Sequence, residues 1–142
     1  MKEDARKPKA MNFYWQGLSL LCESIYIEII ECFERFTHDV TLQNLQLLFC
    51  AVKKMISEYE DASDLIYQIF YVYEHGAIKY GDKNYSELCL ERILHALGRH
   101  IAILAIGSPI DEDSDLHHLA HIMANVLIAA ELLHRNQMIT AL

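Results

Sequence analysis

Residues 115–136 read DLHHLAHIMANVLIAAELLHRN, and the spacing within this stretch decides the fold. It contains neither Gly nor Pro, and its apolar residues recur at helical rather than strand spacing. At about 100° per residue, His118, His121 and Asn125 share one stripe. Ile128, Ala129 and Leu132 continue it, while His117, Glu131, His134 and Arg135 lie on the other side. A polar stripe that continues as an apolar one is expected to face a core, on a helix from about Asp115 to Asn136.

The rest of the chain supports the same period. Only 5 Gly and 2 Pro occur in 142 residues. A sandwich or barrel needs turn signals about every 8–12 residues, so a chain this poor in turn formers builds a few long helices. With 53% hydrophobic and 23% charged residues it is not disordered. Its length suits one core. Four helices are expected before the last: Trp15–Phe36, Leu42–Tyr59 with Thr41 as N-cap, Asp61–Glu74 stopped by Gly76, and Glu87–Ile106 capped by Ser86 and ended by Gly107, Ser108 and Pro109. Asp113 or Ser114 caps the last. The expectation is an all-α, single-domain bundle of five helices over residues 11–142, after a basic segment at 1–10.

The formal charge is −8 and the pI about 5.4. That disfavours a nucleic-acid polymer as partner but leaves room for a small anion. Cys22, Cys32, Cys50 and Cys89 form no CxxC pair, the N-terminus does not read as a signal peptide, and no run approaches the ~18 apolar residues of a membrane span. A soluble cytoplasmic protein with free thiols is expected.

Three sets of residues carry chemistry. The first is the His118, His121, Asn125 stripe. Buried polar groups cost roughly 1–3 kcal/mol each if unpaired, so the stripe is either a satisfied polar layer in the core or a site. The second lies on the fourth helix, where Arg92, His95 and Arg99 fall at i, i+3, i+7, with His100 at the border of the apolar face. It is either a solvated basic face or a patch for a phosphate-bearing small molecule. The third is acidic: Glu28 with Glu31, and Asp61 with Asp64, each pair one turn apart. Two such pairs facing each other would hold Mg²⁺, an arrangement similar to the MazG-like all-α nucleotide pyrophosphatases, and the alternative is a solvated acidic face.

The stretch from His75 to Leu133 contains GAIKYGDKNY at 76–85, Arg99-His100, and DEDSDLHHLAHIMAN at 111–125. It resembles the phage-encoded dATP/dGTP diphosphohydrolase N-terminal-domain family, whose pattern is close to GAxKYGxxNW, then RH, then DxxSGLxHLAHxxxN. Tyr85 stands where that pattern has Trp, and Asp115 where it has Gly. The resemblance implies a hydrolase that splits a purine deoxynucleoside triphosphate into monophosphate and pyrophosphate, encoded by a phage and acting in the host cytoplasm.

On that reading Lys79 and Arg99 pair with phosphate oxygens. Tyr80 or Tyr85, around Gly81, stacks on the purine. Asn84 or Asn125 reads a base edge. His118 and His121 either bind Mg²⁺ or Mn²⁺ together with Asp111 or act as acid and base, with His100 beside them. Two other readings use the same residues: a nucleotide-sequestering module that counters host defence without hydrolysis, and a helical protein whose His and Asn groups are only a core layer. The hydrolase and the sequestering module, but not the core-layer reading, favour a homo-oligomer.

Overall fold

In the computed structural model the described residues are 20–59, 61–80, 89–106 and 109–141. They form five helices: α1 Leu20–His38, α2 Leu42–Ser57, α3 Ala62–Tyr80, α4 Leu90–Ala105 and α5 His118–Ala141. Among the described residues the only β pairing is an isolated antiparallel bridge between Ile110 and His117. No described helix is long and apolar enough to cross a membrane. The all-α bundle expected from the sequence is the fold.

Thr41 caps α2 as its position suggests: it is extended, and its hydroxyl accepts a bond from the Asn44 N–H at 3.1 Å. The short link behind it sends α2 back along α1. The Tyr26 hydroxyl donates to the Ile101 carbonyl at 2.7 Å, tying α1 to α4. Gly98 lets the two helices approach, because a Cβ there would stand 3.2 Å from the Phe33 ring.

The central element is α5, which packs against α2, α3 and α4. Leu119, Ile122, Ala124, Val126 and Ala129 are buried on it, so little of its surface meets water. A helix apolar on most sides belongs in a core. Against it lie Leu45, Leu48 and Val52 of α2, Leu65 of α3, and Ile93, Leu97 and Leu104 of α4.

Several boundaries differ from expectation. α3 does not stop at Gly76 but runs on to Tyr80. A mid-helix glycine costs about 1 kcal/mol and ends a helix only where the chain turns left-handed. α4 begins at Leu90, with Cys89 at the N-cap position and making no side-chain cap bond. α5 begins at His118 rather than near Asp115, because Asp115 has φ 61°, outside the helical region. The basic segment 1–10, the Trp15 start of the first helix, the Ser86 cap, and Gly107 and Ser108 lie outside the described residues.

Candidate metal centre

The loop between α4 and α5 is folded tightly by its own acids. The Asp111 Oδ2 accepts from the Ser114 N–H at 2.9 Å and from the Ser114 hydroxyl at 2.8 Å. The Asp111 N–H donates to the Leu116 carbonyl, and the Asp115 N–H to the Asp111 carbonyl, each at 2.7 Å. The His118 N–H reaches back to the Pro109 carbonyl at 2.8 Å. These bonds close the loop onto the start of α5 and aim Asp111 at its first turn.

Among the described residues, four of the five buried polar or charged residues are histidines: His100, His117, His118 and His121. The His100 Nδ1 stands 2.8 Å from the His118 Nδ1. The His100 ring stacks on His121, with centroids 4.5 Å apart and planes 4° from parallel. One ligand atom each from His100, Asp111 and His118 lie within 4.8 Å of one another, the convergent metal-ligand set among the described residues.

Hydrogen-bond counting fixes the state of His121. Burial pushes Asp111 up, but the Ser114 backbone and side-chain bonds, with His121 and His100 nearby, outweigh it and leave the carboxyl below its ordinary value. Asp111 is therefore ionised and accepts only. The single Ser114 hydroxyl proton goes to it, so the His121 Nε2, 2.6 Å from the Ser114 Oγ, must be the donor. The lone pair of His121 is then on Nδ1. Burial, with repulsion from His118 and opposed by Asp111, lowers His121 to about 4. Burial and the neighbouring His121 and His118 lower His100 to about 3. Burial also lowers His118, against the pull of Asp111. At neutral pH all three rings are uncharged, the state in which imidazole binds a metal ion.

His117 plays another part. The sequence reading puts it on the far face of the last helix. It instead precedes that helix and is fully buried. Its Nδ1 accepts from the Leu119 N–H at 2.9 Å, so its Nε2 carries the proton and donates to the Tyr59 hydroxyl at 2.9 Å. Its backbone N–H donates to the Gln68 Oε1 at 2.7 Å, and the Gln68 amide donates to Asp64 Oδ2 at 2.8 Å. This chain anchors the start of α5 to the end of α2 and to α3. Tyr59, Gln68, Ser114 and the role of His117 were not found in the sequence. The available signals were the DxxS spacing of Asp111 and Ser114 and a lone glutamine on the apolar face of α3.

The expected site residues are thus partly gathered. His100, Asp111, His118 and His121 meet. His100 joins Asp111 and His118 in the convergent set, and His121 stands beside it, with its Nε2 3.6 Å from the Asp111 Oδ2. Asn125 sits half-buried one turn beyond His121. Arg99 does not join them: it is exposed, lining an open groove with Phe33, Thr37, Glu91 and His95. Neighbours on a helix point about 100° apart, so burying His100 turns Arg99 outward. The four other acids do not converge either. Glu28 pairs with Lys54 at 3.0 Å, Glu31 is exposed, Asp61 accepts from the Asp64 N–H at the start of α3, and Asp64 holds Gln68. Lys79 and Tyr80 end α3, one turn past His75, whose Nε2 lies 3.4 Å from Asp113 in the loop. Gly81, Asn84 and Tyr85 lie outside the described residues.

No solved structure matches the chain. A protein named dATP/dGTP diphosphohydrolase from Salmonella phage PMBT28 is 36% identical over 59 residues. That segment is 42% of this chain and 20% of the relative, so the match spans a fifth of the relative's length. A family model described as dATP/dGTP diphosphohydrolase, N-terminal, matches residues 51–141, a span that includes His100, Asp111, His118 and His121. The chain belongs to the dATP/dGTP diphosphohydrolase N-terminal family.

Proposed function

We propose that the chain is a divalent-metal-dependent hydrolase. It would cut dATP or dGTP between the α- and β-phosphates, releasing the monophosphate and pyrophosphate. The observation that carries this reading is the meeting of His100, His118 and an ionised Asp111 at one buried site, within the segment that matches the family.

A bound ion would polarise a phosphate oxygen and ease deprotonation of water. Ser114 keeps Asp111 oriented and charged. His121, neutral and bearing its lone pair on Nδ1, suits a proton acceptor. Lys79, Tyr80, Gly81, Asn84 and Tyr85 would meet the nucleotide. Their support is the position of the α3 C-terminus, tied to the site loop through His75 and Asp113. Asn125 would contact the ligand from α5.

The test is incubation of the full chain with each deoxynucleoside and ribonucleoside triphosphate, with Mn²⁺ or Mg²⁺, followed by separation of the products. Monophosphate and pyrophosphate from dATP or dGTP are expected. Orthophosphate as the first product, or no product from any nucleotide, overturns the reading. A nucleotide-sequestering module would use the same residues without cleavage. A purine nucleotide that raises the melting temperature without being consumed would select it.

A further inference from the structure

We propose that His100, His118 and Asp111 form a site for a divalent first-row transition ion such as Mn²⁺, Fe²⁺, Co²⁺ or Zn²⁺, with Mg²⁺ a poor substitute. This deepens the proposed function by naming the class of ion, and it makes a claim about binding that needs no nucleotide to test.

The donor set comes first. Two of the three ligands are imidazole nitrogens. Mg²⁺ takes oxygen ligands and gives up its water reluctantly, whereas imidazole suits the later first-row ions. An all-carboxylate site would favour Mg²⁺, but the described acids that might build one are dispersed among Lys54, Gln68 and solvent.

The spacing agrees. Two ligands of one ion, each about 2.0–2.2 Å from it, stand roughly 2.9–3.5 Å apart for angles between octahedral and tetrahedral. The two Nδ1 atoms are 2.8 Å apart. They lie near the octahedral end, so small movements of the rings admit an ion between them. Both Nδ1 atoms bind only when the donating ring gives up its Nδ1 proton and takes one on Nε2, so that both rings stay neutral. Two histidines and one carboxylate on such an ion leave positions open for water or a phosphate oxygen.

The carboxylate is prepared for the third position. Both hydrogen bonds from Ser114 go to the Asp111 Oδ2. The Oδ1 has no hydrogen-bond partner among the described residues. Ser114 thus fixes the carboxylate by one oxygen and leaves the other for a ligand, the outer-shell support that metal-binding carboxylates usually have. His118 is 2% exposed and His100 7% exposed, so an ion there would be largely shielded from water.

The experiment is a Co²⁺ titration of the full chain after chelator treatment and dialysis. A weak visible d–d band saturating at one ion per chain is expected, with no sulfur-to-cobalt charge-transfer band and a raised melting temperature. Zn²⁺ should displace Co²⁺, and a thousandfold excess of Mg²⁺ should not. Asp111→Asn and His118→Gln should each weaken Co²⁺ binding at least tenfold, while His95→Gln, on the exposed face of α4, should bind as the parent does. Absence of the band, sulfur ligation, equal competition by Mg²⁺, or parental affinity in both site variants overturns the proposal. If the variants fail to fold, paramagnetic broadening of the histidine ring signals in the parent decides it. Broadening led by His100 and His118 supports the site, and broadening that spares both overturns it. Tight Co²⁺ binding without nucleotide cleavage would support the ion site while removing the diphosphohydrolase reading. Cleavage by a chain that binds Mg²⁺ and Co²⁺ equally would do the reverse.

Discussion

The His100 Nδ1 and the His118 Nδ1 face each other at 2.8 Å across the α4–α5 contact, so one proton serves two rings. Neither ring can be replaced without leaving the other short of a partner. The loop between them supplies Asp111, and helix packing supplies the burial that keeps both rings neutral.

Acid should unfold the protein through its histidines. His100 and His117 are lowered to about 3 and His121 to about 4, each from 6.5, with burial as the main cause. Between those values and 6.5 the unfolded chain binds more protons than the folded one, so stability rises with pH across that window and levels off above it. Each group adds a slope of about 1.4 kcal/mol per pH unit. Urea melts at pH 7.5, 6 and 5 should give midpoints that fall steeply below pH 6.5. A flat profile down to pH 5 would show that the rings are not held neutral.

Tyr59→Phe should cost about 1–3 kcal/mol, because the buried His117 Nε2–H loses its acceptor. The variant should keep the Co²⁺ affinity of the parent within a few-fold, since His117 anchors the loop without joining the ligand set. Thermal melts and cobalt titration check the two halves. A melting temperature unchanged from the parent would mean that the bond contributes nothing.

Asp115 holds φ 61°, a left-handed conformation, at the position where the resembled pattern has glycine. Asp tolerates that region better than most residues, and a β-carbon there still carries strain. Asp115→Gly should therefore be more stable than Asp115→Ala by about 1 kcal/mol. Denaturant melts of the two variants read the difference. An alanine variant at least as stable as the glycine one would exclude the left-handed turn.

Arg99→Ala should leave stability within about 0.5 kcal/mol, as for other exposed substitutions. It should leave metal affinity within twofold, because Arg99 lies on the open groove rather than in the histidine cluster. A tenfold gain in cobalt affinity, from loss of a nearby positive charge, would place the guanidinium in the site after all.

The period of residues 115–136 and the scarcity of glycine made the helical bundle legible, and the buried polar stripe marked His118 and His121 as unusual. Asp111 and His118 were legible as members of the convergent set, and the place of His100 between them was not. Arg99-His100 reads as one basic unit in a linear pattern, yet a helix sends the two side chains to different environments. His117 reads as part of the last helix until the left-handed Asp115 and the bridge to Ile110 delay its start. His121 matches His118 by spacing, but its ring is committed to Ser114, a contact made seven residues back in the sequence. The acidic pairs had the right period and the wrong neighbours: Lys54 reached Glu28 from another helix.

The central position of α5 bears on how the chain is made. Of the five described helices it comes last in chain order, yet α2, α3 and α4 all bury their apolar faces on it. A nascent chain ending before His118 can pair α1 with α2 but leaves Ile93, Leu97 and Leu104 of α4 without α5. Folding of the bundle then waits for α5, and ribosome-stalled chains that end before His118 should be cut readily by protease and held by chaperones. Emergence of α5 should bring protection to the whole bundle in one step.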